Sequence, residues 1–412
     1  MTLTRLALRN AGRQRRRSLL TGIAIAVAVA AMTFFDAYLT GAKDNLVETH
    51  IQFNTGHVEV LPREGVGRTQ PLPLDKGMTR LNELLADILS VPDVEVAAPR
   101  IRFGVLLDKP GGAVAAQGIA VLPSREKTLY NLDRMLVAGT VPGDSSDGVL
   151  LGEILAKELG LKIGDELFVV GMTSYGGLGP GLYHVTGLVR SGIRALDRKT
   201  FFVPLPAAQE QLAMEDRAMQ IACRVRQGRQ HAEEAAARIQ RVLDEAGFSG
   251  VAAVPWNRVG LMGRFQGVWR MMFFILAGLL MVLALGTVAN TVLMAVMERT
   301  REIGALRALG FQRGFVVRMI VMETVVIGLL GIVVGLIIGI GVGLLLQHTG
   351  IDFTKAMAGT DFPMKPIIYP HPSVSTAVWA FVFGLLITLL AAWFPARSAS
   401  RMQPARALRA YH

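Results

Sequence analysis

Four apolar runs restrict the folds open to this chain more than any other feature. They cover approximately Leu19–Leu39, Met271–Val296, Phe315–Leu346 and Val374–Phe394. Each is long enough to cross a bilayer core of about 30 Å, which takes roughly 20 apolar residues as helix. Backbone groups in lipid must be satisfied within their own segment, so these runs are expected to be helices. The third exceeds what a crossing needs and is expected to tilt or to project beyond the bilayer.

Charge placement orients them. Residues 1–17 hold six Arg and no acid, residues 298–318 hold five Arg against Glu298 and Glu302, and residues 395–412 hold four Arg and no acid. The net charge is +11, so the remainder of the chain is slightly acidic. A basic excess confined to segments beside apolar runs is the positive-inside pattern, not a nucleic-acid patch, and no nucleic-acid partner is expected. Both termini and residues 298–314 are expected on the cytoplasmic side, with 41–268 and 347–373 outside. The first run exceeds the 7–15 residues of a signal-peptide core, so it reads as a retained anchor. Cys223 is the only cysteine, which excludes an intrachain disulfide.

The expected division is a cytoplasmic amphipathic helix over 1–18, spans over 19–40, 269–297, 315–346 and 374–394, a charged segment over 298–314, and a cytoplasmic tail over 395–412. Thr40–Asn54 reads as a helical continuation of the first span, with Leu46, Val47 and Ile51 on one face. The ends of 41–268 alternate short strands with helices, and about 100–215 reads as mostly β. That suggests a β subdomain inserted into an α/β one. Between two strands lies Gly171–Tyr183, with five glycines and a proline in thirteen residues. It reads as flexible. It is either an ordinary hairpin tip or a protruding arm that presents Met172, Tyr175, Leu178, Leu182 and Tyr183 to a partner. Gly328, Gly331, Gly335, Gly339 and Gly343 form a small-residue stripe along the third span. Such stripes let helix backbones approach closely in lipid, within one bundle or between protomers.

Absences narrow the function. The chain has no Gly-x4-Gly-Lys-Ser/Thr phosphate loop, no His/Cys cluster at metal spacing and no Gly-x-Ser-x-Gly elbow. No metal site, cofactor or catalytic residue is expected in this chain. Glu323 lies early in the third span. It reads as a proton relay, or as a structural carboxylate paired with Arg318 or Arg307. Asp36 is expected to be structural near the outer interface, and Arg258, Arg264 and Arg270 line the approach to the second span.

The run Glu298-Arg-Thr-Arg-Glu-Ile-Gly-Ala-Leu-Arg-Ala-Leu-Gly310 sits between the second and third apolar runs. With Glu323 and the tail Pro395-Ala-Arg-Ser-Ala-Ser-Arg-Met-Gln-Pro-Ala-Arg-Ala-Leu-Arg409, it resembles the FtsX/MacB-type permeases of ABC systems. The segment Gly41–Leu61, containing Thr55-Gly-His-Val-Glu-Val60, is similar to the lipoprotein-releasing LolC/LolE branch. The resemblance implies a polytopic α-helical membrane protein with four transmembrane helices and a large extracytoplasmic α+β domain. That domain would have a Porter-like α/β part and a Sabre-like β insert.

It further implies a dimer of permeases, homo- or heteromeric, served by a separate LolD-like ATPase dimer that binds ATP and Mg. The segment after the second span would be the coupling helix. There Ile303, Leu306 and Leu309 would share a face, and Glu298, Arg299, Arg301, Glu302 and Arg307 would supply polar contacts. The cargo would be a lipoprotein passed to a LolA-like periplasmic carrier, for which the Gly171–Tyr183 arm is the candidate contact. Phe34, Phe35, Val268, Met271, Met272 and Ile275 are the candidate lining of the substrate cavity. The alternatives are MacB-type efflux with a separate ATPase, and FtsX-type signalling to a cell-wall hydrolase. A MacB-type exporter usually carries its ATPase ahead of the first span, and an FtsX-type protein usually has a smaller outer domain. Both points favour lipoprotein release.

Overall fold

The computed structural model describes residues 15–68, 72–109, 112–260, 262–357, 360 and 364–401, with side chains of Arg15, Arg17 and 262–266 excepted. The expected helix over 1–18 and the tail beyond Arg401 lie largely outside the described residues, as does the Arg264 side chain. The chain divides into two compact units. A helical unit holds residues up to Lys43, Val268–Ile351 and Ile368 onward, and a globular unit holds Asp44–Gly267 and Asp352–Ile367.

Four helices are long and apolar enough to cross a membrane. They are α1 (Arg15–His50), α2 (Met262–Glu298), α4 (Arg313–Thr349) and α5 (Val374–Ser400), with a short α3 (Thr300–Ala308) between α2 and α4. All but α5 run past both ends of the apolar windows, because helix geometry continues into charged residues that hydropathy does not count. The glycine stripe works within this unit. Gly331, Gly335 and Gly339 of α4 lie against the backbone carbonyls of Gly22, Ala26 and Ala30 of α1, where an added Cβ would sit 2.6, 2.5 and 2.8 Å away. Two small-residue rows at fourfold spacing thus mesh, the arrangement that gives helices van der Waals contact in lipid. Asp36 of α1 accepts a 2.6 Å hydrogen bond from Thr376 Oγ1 in the first turn of α5.

Among the described residues the main sheet of the globular unit has ten strands: β1 (Val58–Pro62), β2 (Val94–Lys109), β3 (Gly112–Val121), β4 (Leu136–Gly139), β5 (Gly148–Gly152), β6 (Glu166–Met172), β7 (Leu178–Val189), β8 (Thr200–Pro204), β9 (Gln220–Val225) and β10 (Val251–Pro255). Their order is β10-β1-β9-β2-β3-β8-β5-β7-β4, and β6 pairs with both β2 and β7. The pairings β2–β3, β3–β8, β8–β5, β5–β7, β7–β6 and β6–β2 therefore close a ring. A closed ring leaves none of its six strands with a free edge.

The long β2 belongs to two sheets. Its first half pairs with β9 in the open α/β part and its second half with β6 in the barrel. The β insert is accordingly not a separate sheet but an extension of a shared strand. The expected β-rich stretch 100–215 also carries five short helices among its described residues. Helices Leu81–Ser90 and Ala232–Glu245 bury Leu84, Ile88, Ile239 and Leu243 in one apolar core with Val58 and Val60. In the second helix the buried positions recur every three or four residues, as one apolar stripe requires.

Candidate functional site

The strand-free charged run becomes α3. Glu298 ends α2, Arg299 occupies the N-cap of α3, and Leu309 its C-cap. Gly310 then adopts φ +91°, a left-handed conformation that favours glycine, and the chain turns into α4. The three apolar residues do not share one face, which corrects the expected coupling surface. Ile303 is 3% exposed and joins the cluster of Val292, Val296, Val316 and Ile320. Leu306 is half-buried and lines a cavity of about 290 Å³ with Val296, Phe315 and Ile320. Only Leu309, at 77% exposure, is free of the bundle. Each step of three residues falls about 60° short of a full turn, so the third residue of an i, i+3, i+6 set lies about 120° from the first and off the buried stripe.

Arg299 is also committed. Its Nη1 donates to both Glu323 oxygens, at 3.0 and 2.9 Å. Glu323 was expected beside Arg318 or Arg307; its partner is instead the residue that joins α2 to α3. Arg307 turns back to its own chain and donates to the Phe311 carbonyl at 3.0 Å. Glu298, Arg301 and Glu302 are exposed, and Glu302 also lines the cavity beside Ile303 and Leu306. Ile303 and the Arg299–Glu323 pair thus fasten α3 to the bundle, and the segment presents Leu309 with charged neighbours.

The six expected cavity residues are not brought together. Phe34 and Phe35 are half-buried on α1, while Val268, Met271, Met272 and Ile275 are exposed on α2. None of them lines the cavity beside α3 or the groove of about 380 Å³ between α1 and α4. Within the most apolar window of each span, α2 has the smallest buried share, at 17%. Its second half packs through Val288, Val292 and Val296. Its first half carries an uncovered apolar face to which Phe274, Leu279, Val282 and Leu283 also belong.

The glycine-rich arm is a β-hairpin, not a flexible loop. β6 and β7 pair through Met172↔Leu178, closed by a turn over 173–177. The turn is tied to the helix Leu205–Leu212: Ser174 N donates to the Leu212 carbonyl at 2.9 Å and Ser174 Oγ to that of Ala213 at 2.6 Å. Gly179 and Gly181 let β7 lie against Gln211, where any Cβ would collide. The glycines serve close packing. Tyr183 is a correction: it is 2% exposed and donates to Gln211 Oε1 at 2.6 Å, so it belongs to the core. Met172, Tyr175, Leu178 and Leu182 are exposed as expected for an arm. Phe168, paired across to Leu182, and Leu106, paired to Val170, extend the same apolar strip. Both were missed, although the alternation in Glu166–Met172 marks Phe168 as outward-facing.

The end of α1 is clamped by side chains that sequence reading also missed. A π turn, Ile51–Thr55, follows His50. Its carbonyls would be orphaned at a helix end. The Phe53 carbonyl accepts from Tyr130 Oη at 2.8 Å and from Arg102, and the Asn54 carbonyl from Arg100 and Gln220, each at 3.1 Å. Arg100 is fully buried, forks onto Glu126 at 2.6 and 2.8 Å, and lies 4.1 Å from the Tyr130 ring centroid. No spacing rule in the sequence links positions 54, 100 and 126.

With this geometry in hand, the chain compares with known proteins as follows. The MacB-like periplasmic core domain family matches residues 18–242, and the FtsX-like permease C-terminal family matches residues 274–404. The lipoprotein-releasing system transmembrane protein LolC of Neisseria meningitidis serogroup B is 25% identical over 370 residues, 85% of this chain and 86% of the relative. The macrolide export ATP-binding/permease protein MacB 2 of Aeromonas hydrophila is 23% identical over 98% of this chain. The chain spans 60% of that MacB 2 protein and 16% of MacB 1 from the same organism. The periplasmic region of MacB from Actinobacillus actinomycetemcomitans aligns with 48% of this chain and 88% of that structure, at 12% identity and a TM-score of 0.36. Matched over more than half its length by the first family and across its last three spans by the second, the chain belongs to the FtsX/MacB family of ABC transporter permeases.

Proposed function

We propose that this permease extracts lipoproteins from the outer leaflet of the inner membrane, with both termini cytoplasmic and the globular unit periplasmic. A separate LolD-like ATPase dimer binds ATP and Mg and presses on α3 of two permease protomers. Because Ile303 and the Arg299–Glu323 pair fasten α3 to α2 and α4, a push on Leu309 and its charged neighbours moves those spans instead of bending a loop. The α1 helix carries movement toward the clamp at Asn54. The hairpin with Met172, Tyr175, Leu178 and Leu182 offers its apolar strip to a LolA-like carrier.

The observation that carries the cargo reading is the uncovered apolar face of Val268, Met271, Met272 and Ile275. A lipid anchor contributes about 0.8 kcal/mol per buried CH2, so its removal needs an apolar receiver as well as ATP. Adaptable methionines suit acyl chains of varied length. The near full-length similarity to LolC supports the same reading. Photo-crosslinkers at Phe35 and Met271 are expected to capture triacylated lipoprotein. Capture of soluble peptides or macrolides alone would establish the second reading, efflux, which the MacB 2 relative favours.

The coupling role has its own test. Leu309→Asp places a charge on the exposed tip of α3 without touching the bundle. It is expected to reduce ATPase co-purification at least about tenfold, as loss of an apolar anchor at the centre of an interface does. Undiminished assembly would remove α3 from the contact.

A further inference from the structure

Val58 and Val60 point into the apolar core, so strand alternation turns Glu59 to the opposite face of β1. There it lies across from Ala222 of β9 and Val254 of β10. It is 6% exposed, and its Oε2 is buried without a hydrogen-bond partner. A buried acceptor left unpaired is costly, and such groups in native folds call for an occupant. Glu59 opens onto a cavity of about 230 Å³ whose wall also includes Arg68, Arg102, Arg258, Gln117 and Gln220.

The chemistry of this wall selects its ligand. A simple cation would satisfy Glu59 but face Arg68, Arg102, which also donates to the Phe53 carbonyl, and Arg258, whose other partner is Glu233 at 3.3 Å. A simple anion would meet the arginines and leave Glu59 unpaired. A cavity of about 150 Å³ accepts a six-carbon ring, so one of this size suits roughly nine non-hydrogen atoms. We propose that the pocket binds a zwitterion of amino-acid size, its ammonium group donating to Glu59 and its carboxylate facing the arginines. The cavity rim includes residues 258–260, shortly before α2 in the chain. This site is independent of the cargo reading.

Burial pushes the Glu59 carboxyl up to about 7, against the pull of Arg102 and Arg100. Arg100 also lies near it, and Arg68, Arg102 and Arg258 stand on the cavity wall. Cys223, which pairs with Val58 from β9 and lies on the core face of the sheet, is pushed up to about 12 by burial and keeps its proton. Binding is therefore expected to weaken as pH falls from about 8 to about 6, where Glu59 takes up a proton.

Isothermal titration of the full chain in detergent, with the common L-amino acids one at a time, tests this. Acetate and methylammonium serve as half-ligands. At least one amino acid is expected to bind while both half-ligands fail. Glu59→Gln, which preserves shape, is expected to weaken binding at least about tenfold with cooperative unfolding retained. If that variant does not fold, the pH profile of the unaltered chain and the half-ligand comparison decide. Absence of heat from every amino acid, leaving water as the occupant, overturns the proposal. So does acetate binding that ignores both pH and Glu59→Gln, which marks an anion site made by arginines alone.

Discussion

Arg100→Met is expected to destabilise the globular unit by about 3–5 kcal/mol, the cost of leaving one partner of a buried ion pair alone. Both Arg100 and Glu126 are fully buried, and nothing else neutralises the Glu126 carboxylate at hydrogen-bond distance among the contacts described. The variant also removes a donor from the Asn54 carbonyl, so the end of α1 loses part of its clamp. Urea unfolding of the purified chain in detergent, followed by circular dichroism, measures the change. The double variant Arg100→Met with Glu126→Leu separates charge from packing. It is expected to recover most of the loss, because apolar groups of similar volume replace a buried pair at little cost. If Arg100→Met alone is neutral, the pair does not hold the end of α1.

Gly335→Leu is expected to disrupt the helical unit. A Cβ at that position would lie 2.5 Å from the Ala26 carbonyl oxygen, a backbone atom that cannot rotate away. α1 and α4 would have to separate, and all three contacts of the stripe would loosen together. Overpacking costs about 1–3 kcal/mol in a well-packed core and more where backbone must move. Gly341→Leu is the matched control, because an added Cβ there meets nothing within 4 Å. Thermal unfolding in detergent is expected to show a marked fall in Tm for Gly335→Leu and little change for Gly341→Leu. Equal effects at both sites would refute close α1–α4 packing as the source.

The parts of this chain legible from sequence are those governed by short periodicities. Four spans follow from apolar length, and the stripe from Gly331 to Gly339 follows from helical repeat. The α3 segment stands out because charged residues interrupt lipid-compatible runs. What escaped is long-range. The barrel closes through β6, whose partners β2 and β7 are set by hydrogen bonding across the fold. The pairing of Arg299 with Glu323 depends on how α2 and α4 pack. Tyr183 reads as an exposed aromatic in a glycine-rich stretch. It is buried because those same glycines let Gln211 approach. Composition alone cannot tell a glycine that loosens a turn from one that admits a neighbour.

Cys223 has a practical consequence for following this machine. It is the only thiol in the sequence, it is fully buried, and it stays protonated far above neutral pH. Maleimide and methanethiosulfonate reagents require an accessible thiolate, so the native chain is already a silent background for them. A single cysteine placed at Leu309, at Tyr175 or at Met271 can be labelled without first engineering out the natural one. Spin labels at these sites would then report movement of the α3 tip, the hairpin and the bare face of α2 during the proposed transport.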